Sequence, residues 1–405
     1  MKTQNRSLSI RWLYLAVGVV SMVFAGVLYA WSILKAPFAT EFGWTPAQLA
    51  LNFTITMCFF CLGGLAGAFL SRKCGTIAST IIAGVLSAGG FMLTSQLAGD
   101  NVVMLYLSYG VLAGGGIGVA YNVVIAAVSA WFPDKKGVCS GCLMMGFGAS
   151  ALVLGNLSSS LMEAPDFGWR ATYLLLGGII GGVLLMTALI LRKPGADVVL
   201  PQPKKAKEMA QEQNLTTKQM LGRPSFWLAF FYILGLIAVG SSVISFAKDL
   251  TISVGAKVEL ATTLVGVLSI FNGVGRILTG ALFDLWGQRK TMIFSNLLTI
   301  FAAAAMLVAV LLSSVPLCIV GLCLTGLSYD SCPTTSAAFT SSYFGMKHFS
   351  SNMAVMNLNL MLGSMVATLS SSLYTATGDY IVPFAVLLGM SLVSLVLNFN
   401  IRRHE

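Results

Sequence analysis

The side chains best placed to do chemistry lie in Phe271-Asn272-Gly273-Val274-Gly275-Arg276, inside an apolar run from about residue 262 to 283. An arginine is charged at every accessible pH, and a cation near the centre of a bilayer helix costs roughly 2.5 to 3.5 kcal/mol on the most lenient scale. Arg276 therefore requires an anion. Two sources exist: an acidic side chain on a facing helix, or a carboxylate that enters from solution. The guanidinium fork suits either, because it presents paired donors to two carboxylate oxygens. Asp330, the one acidic residue deep in another apolar run, is the resident candidate. One expectation is a permanent Arg276–Asp330 ion pair; the other is a pair that opens when an incoming carboxylate competes. A charge-assisted hydrogen bond is worth about 1.5 to 3 kcal/mol, enough to exchange one partner for the other. On the second expectation Arg276 binds a small organic anion halfway across a membrane. Asn272 lies four residues earlier, one turn away on the same helix face, while Gly273 and Gly275 remove bulk beside both. Burial favours the neutral form of Asp330 and the guanidinium favours its charged form, so its protonation can follow whether a substrate holds Arg276. The plainer alternative is that Asp330 only orients the guanidinium.

Membrane helices must position these groups. Hydrophobic residues make up 57% of the 405 and charged residues only 9%, with a mean hydropathy of +0.85, beyond any soluble domain of this size. The formal charge of +10 is no nucleic-acid signal, because the charges fall between apolar runs instead of along a polar face. A bilayer helix needs about twenty apolar residues. Twelve such runs are present, near 11–34, 47–70, 76–98, 103–131, 138–162, 168–192, 223–247, 258–283, 290–313, 315–342, 349–375 and 379–401. Lys2, Arg6 and Arg11 ahead of the first run resemble a signal peptide, but the run is too long, and a retained first helix is expected. Residues 193–222, rich in Pro, Lys and Glu, form a solvated linker between a half at 1–192 and a half at 223–405. With both termini cytoplasmic, nineteen Lys and Arg fall inside and four outside (Lys35, Arg170, Lys248 and Lys257), which leaves Arg276 alone within a span. Lys35 attracts anions at the outer mouth or snorkels at the interface.

Several chemistries are excluded. Cys58-x-x-Cys61 and Cys139-x-x-Cys142 lie in apolar helical runs without histidine nearby, so neither a metal nor any other cofactor is expected. The only histidines, His348 and His404, lie outside the spans, which removes a histidine proton relay. Gly110, Gly114 and Gly118, like Gly146 and Gly148, read as helix-packing positions; no strand precedes Gly114 as a dinucleotide fingerprint demands. No nucleophile, base and orienting group converge, and no phosphate-binding Gly-Lys loop is present, so neither an enzyme nor an ATP-driven pump is expected.

The chain repeats itself. Gly67-Ala-Phe-Leu-Ser71 through Gly75 has a counterpart in Gly280-Ala-Leu-Phe-Asp284 through Lys290; Trp131-Phe132 recurs as Tyr343-Phe344, and Gly168-Trp169 as Gly378-Asp379-Tyr380. Each copy stands about 210 residues after the first, in a corresponding loop, which implies two pseudo-symmetric six-helix halves with a site at midplane.

Residues Gly280 to Lys290 resemble the cytoplasmic loop motif of the major facilitator superfamily, with a degraded copy at Gly67. More narrowly, Tyr29-Ala30-Trp31, Gly116 to Tyr121, Trp131 to Gly137, Phe271 to Arg276 and Ser328-Tyr329 with Pro333 resemble the bacterial oxalate:formate antiporters and the related monocarboxylate transporters. The resemblance implies the major facilitator fold: an all-α membrane protein of twelve transmembrane helices that works by alternating access. It assigns Tyr29, Tyr121 and Tyr329 phenols that enclose the substrate beside Arg276, Asn272 and Asn359, and gives Asp284 and Arg289 a gating role. Pro333 is expected to free a backbone carbonyl and let the tenth helix bend.

The departures from the family pattern refine this. Oxalate exchangers resemble one another in an eleventh-helix lysine, whereas 351–360 here contains none, and a single cation suits a monoanion. Animal monocarboxylate transporters resemble the chain at Arg276 but carry Asp where Asn272 stands, so proton coupling falls to Asp330. The expectation is a multi-pass cell-membrane carrier whose partners, besides the lipid bilayer, are a small monocarboxylate (lactate, pyruvate or formate) and a proton. The alternatives are exchange of oxalate or another organic anion, and an anion sensor without net transport. A monomer is expected, since the site lies within one chain.

Overall fold

The computed structural model describes residues 2–99, 101–132, 136–195, 198, 215–345 and 348–401. Among them, eleven helices are long and apolar enough to cross a membrane. They are α1 (Ile10–Phe42), α2 (Pro46–Lys73), α3 (Gly75–Ser95), α4 (Val102–Ser129), α5 (Cys142–Glu163), α6 (Gly168–Ile190), α7 (Pro224–Ser253), α8 (Val258–Phe283), α9 (Gln288–Leu311), α10 (Val315–Phe344) and, last in the chain, α12 (Ile381–Asn400). The run expected at 349–375 is helical too, but Asn357 divides it into Phe349–Met356 and α11 (Leu358–Thr377). Its Asn, Ser and Thr residues dilute the hydropathy that marks the other spans. Most of the linker, including Lys204, Lys205 and Lys207, lies outside the described residues; its end forms a short helix, Thr217–Leu221, opened by a reciprocal cap between Thr216 and Gln219.

The chain divides into two compact units. The first holds Met1–Trp44 and Ile55–Lys207, and the second Thr45–Thr54 and Glu208–Glu405. Within the first, Gly114 and Gly118 of α4 lie against the backbone of Thr56 and Phe60 in α2, which is the packing role expected of that stripe. Within the second, α7 is the innermost helix: 83% of its most apolar stretch is buried, against 33% for α12. The opening turns of α2 belong to this unit, where Thr54 Oγ1 donates to the Ser364 carbonyl at 2.6 Å.

Interrupted helices carry the repeat into the backbone. In the first half α1 tightens to a 3-10 turn at Gly26–Ala30, and α4 and α5 widen to π-helix at Tyr106–Ala113 and Ala151–Gly155. In the second half α7 leaves helical geometry at Phe246 (φ −130°, ψ 20°), α10 breaks at Asp330, and the eleventh run breaks at Asn357. The irregular spans are therefore the first, fourth and fifth, and again the seventh, tenth and eleventh; α2, α3, α6, α8, α9 and α12 run unbroken. Broken helices in corresponding places of two halves are the backbone signature of a transport site. The α10 break has a covalent cause. Pro333 has no N–H to give the Tyr329 carbonyl one turn before it, and the helix stops at Tyr329.

At the other end of α8, its helix continues to Trp286 and closes on Gly287, whose φ of +75° a side chain would resist. The chain reverses there within one residue and α9 begins at Gln288.

Candidate functional site

Helices α8 and α10 carry the charged centre, and their sequences let them touch. A Cβ at Gly275 would collide with the backbone of Leu327, and one at Gly326 would meet the Leu268 carbonyl oxygen at 2.6 Å. Only glycine permits that approach. It brings Arg276 Nη2 to within 3.0 Å of Asp330 Oδ1, the guanidinium donating to the carboxylate. The two side chains are 16% and 5% exposed, so water screens the pair little. The candidate anion partner of Arg276 within the chain is thus the partner it has. Removing one member of such an enclosed pair costs about 3 to 5 kcal/mol, because the other charge is left without compensation.

The other expected residues of the second unit are buried. Tyr329, the last residue before the α10 break, is 3% exposed and lays its ring against Gly240 of α7. Asn272 is fully enclosed, and neither its amide oxygen nor its amide nitrogen has a hydrogen-bond partner among the described residues. Asn359, just past the Asn357 break, is likewise buried with its amide nitrogen unpartnered. Ser269, which the sequence reading missed, repeats the pattern: its hydroxyl is buried and has no partner among the described residues. Ser269, Asn272 and Arg276 stand at i, i+3 and i+7, one polar stripe in an apolar helix, and that spacing was the available signal. An unpartnered buried polar group costs about 1 to 3 kcal/mol, so Ser269 and Asn272 are retained against stability.

In the first unit, Tyr29 sits within the 3-10 turn of α1 and meets Phe147 of α5 edge-on, ring centroids 5.2 Å apart. Tyr121 of α4 also meets Phe147 at 5.2 Å and Phe60 of α2 at 5.1 Å, and its hydroxyl donates to Met144 Sδ at 3.3 Å. The two expected tyrosines are joined through one phenylalanine. Phe60, Met144 and Phe147 were not singled out in the sequence, where Phe147 hides between Gly146 and Gly148. Edge-to-face rings at these separations fix one another's orientation.

Other expected residues fall elsewhere. Arg289 is exposed in the first turn of α9, and the side chain of Asp284 lies outside the described residues. Lys35 does not snorkel into solvent: it is 4% exposed, and Lys248, its counterpart in the repeat, is 7% exposed.

The family model of the Major Facilitator Superfamily matches residues 13–368 and 233–405. The chain belongs to the major facilitator superfamily. It is a multi-pass membrane transporter, from a family whose members are not enzymes. It is 29% identical over 288 residues to the oxalate:formate antiporter of Oxalobacter formigenes, covering 70% of this chain and 65% of that protein, or somewhat less than two thirds of its length. It is 27% identical over 269 residues to monocarboxylate transporter 12 of Xenopus laevis, covering 62% and 58%. Among solved structures it is similar to the partially occluded inward-open xylose transporter XylE from E. coli, with a TM-score of 0.73, 12% identity, and 96% and 97% of the two chains covered. A bacterial homolog of the human lysosomal transporter Spinster also gives 0.73, with 15% identity and 96% of each chain covered. At those identities the likeness is one of fold, and it extends over nearly the whole chain.

Proposed function

We propose that this transporter is a secondary carrier of small monocarboxylates, of the lactate, pyruvate or formate class, coupled to protons. Both termini face the cytoplasm and one chain carries one site. The observation that carries the reading is the enclosed Arg276–Asp330 pair at 3.0 Å on two membrane helices. An incoming carboxylate takes the guanidinium from Asp330. An ionised Asp330 without a partner in that environment is costly, so it accepts a proton as it is displaced. Substrate and proton then cross together, and on release Asp330 gives up its proton and closes on Arg276 again. Asn272 and Asn359 supply amide groups to the substrate, and Tyr329 supplies a phenol from the same unit. Tyr29 and Tyr121 supply phenols from the first unit, and Asp284 and Arg289 act in gating.

The similarity to an oxalate:formate antiporter favours a second reading, in which a second anion replaces the proton as the coupled species. The missing cation in the eleventh run weighs against a dianion. Uptake of labelled L-lactate into proteoliposomes separates the readings. Accumulation driven by an inward proton gradient and lost in Arg276→Ala is the expected result. Uptake only against internal oxalate would transfer the assignment to exchange, and binding of lactate without uptake would mark a sensor.

A further inference from the structure

A groove of about 410 Å³ lies at the end of α7 that adjoins the linker, lined chiefly by Leu221, Pro224, Trp227, Leu228, Phe231 and Leu397. It is separate from the charged centre: Phe231 is about two and a half turns along α7 from Gly240, where Tyr329 packs. Its walls are almost wholly apolar, and Trp227, Phe231 and Leu221 are 44%, 48% and 37% exposed. One wall is the short helix Thr217–Leu221, whose position is fixed by several bonds. Trp227 Nε1 donates to the Leu221 carbonyl at 2.9 Å, Asn352 Nδ2 donates to the Leu215 carbonyl at 3.0 Å, and Thr217 Oγ1 donates to Asn352 Oδ1 at 2.9 Å. Leu215 N–H in turn donates to the carbonyl of Phe344, the last residue of α10. The groove is therefore a built feature where the linker helix meets the ends of α7, α10 and the eleventh run.

Two basic residues stand next to its lining in the sequence. Lys218 and Arg223 are both exposed and lie on either side of Leu221, and 215–231 contains no acidic residue. An exposed apolar slot lined by a tryptophan, beside two exposed cations, matches an amphiphile with hydrocarbon chains and an anionic head. We infer that this groove binds an anionic phospholipid, an acyl chain lying along Trp227, Leu228 and Phe231 and the phosphate meeting Lys218 and Arg223. A lipid bound there braces the linker helix against the end of α7.

The test uses the purified, delipidated full-length protein in detergent, with lipid retention read by native mass spectrometry and unfolding midpoint read by heating. Phosphatidylglycerol is compared with phosphatidylcholine of the same chains and with glycerol phosphate, which has the head but no chains. Phosphatidylglycerol is expected to be retained more strongly and to raise the midpoint further than phosphatidylcholine, while glycerol phosphate does neither. The double variant K218Q/R223Q should weaken phosphatidylglycerol binding by ~30-fold, at about 1 kcal/mol per lost cation and about 1.4 kcal/mol per tenfold. Lys257→Gln, which changes an exposed lysine just before α8, beyond the opposite end of α7, should leave the preference intact. Equal retention of the two lipids, a preference that survives in K218Q/R223Q, or the same midpoint shift from glycerol phosphate would each overturn the inference.

Discussion

Asp330→Asn separates a competing carboxylate from a merely orienting one. Asparagine has nearly the shape of aspartate and still offers Arg276 an oxygen, but it cannot ionise. In the proposed cycle a substrate carboxylate displaces the charge-assisted bond that joins Arg276 to Asp330 at 3.0 Å. Such a bond is worth about 1.5 to 3 kcal/mol against about 0.5 to 1.5 for a neutral one. Removing the internal competitor should therefore tighten monocarboxylate binding at neutral pH by about 10-fold, at roughly 1.4 kcal/mol per tenfold. Stability should move the other way. An enclosed guanidinium without its carboxylate costs about 3 to 5 kcal/mol, so the empty variant should unfold at lower temperature than the parent, and saturating lactate should restore much of the difference. Binding by the parent should strengthen as pH falls, because displacement of Asp330 requires a proton; binding by the variant should be flat. Isothermal titration with L-lactate between pH 5.5 and 8, beside unfolding curves with and without ligand, reads all three effects. Weaker binding by Asp330→Asn, or unchanged proton-driven accumulation in proteoliposomes, would refute the displacement mechanism.

Other outcomes follow from neighbouring residues. Asn272→Leu removes two unpartnered buried amide atoms, and should raise the unfolding midpoint by an amount equivalent to about 1 to 3 kcal/mol while lowering lactate uptake. Loss of both stability and uptake would show that the amide is structural. Gly326→Val drives a branched side chain into the Leu268 backbone, and should cost at least about 1 to 3 kcal/mol and reduce the yield of folded protein in size-exclusion profiles. Pro333→Ala restores the N–H donor that the Tyr329 carbonyl lacks, and should slow turnover several-fold in counterflow exchange without changing equilibrium lactate affinity.

Most of the architecture was readable because bilayer physics leaves few choices. Span lengths, the basic loops and the repeated loop residues stand in plain view, and Pro333 announced the break that falls at Asp330. The Arg276–Asp330 contact was readable for the same reason, since a lone cation in hydrocarbon demands a partner and the chain offers one acid at depth. What escaped was decided by packing between distant segments. Phe147 joins Tyr29 to Tyr121 because α1, α4 and α5 converge, and nothing in a Gly-Phe-Gly sequence distinguishes that phenylalanine from any other apolar residue. Lys35 is buried although a lysine at a helix end ordinarily reaches for water, because enclosure depends on what surrounds the helix end. The π-helical stretches of α4 and α5 likewise leave no proline to mark them. Only the matching positions in α10 and the eleventh run tie them to the repeat.

The cancelling charges of Arg276 and Asp330 also determine what membrane voltage can do. Moving one elementary charge across a potential of 100 mV is worth about 2.3 kcal/mol. In the proposed cycle the empty site holds one cation and one anion, and the loaded site holds the same cation, a substrate anion and a protonated Asp330. Neither form carries net charge at the site, so an imposed potential should do no work on either crossing. Accumulation would then be set by the proton and substrate gradients alone, and a cell with a large voltage but no pH difference would gain nothing from this carrier.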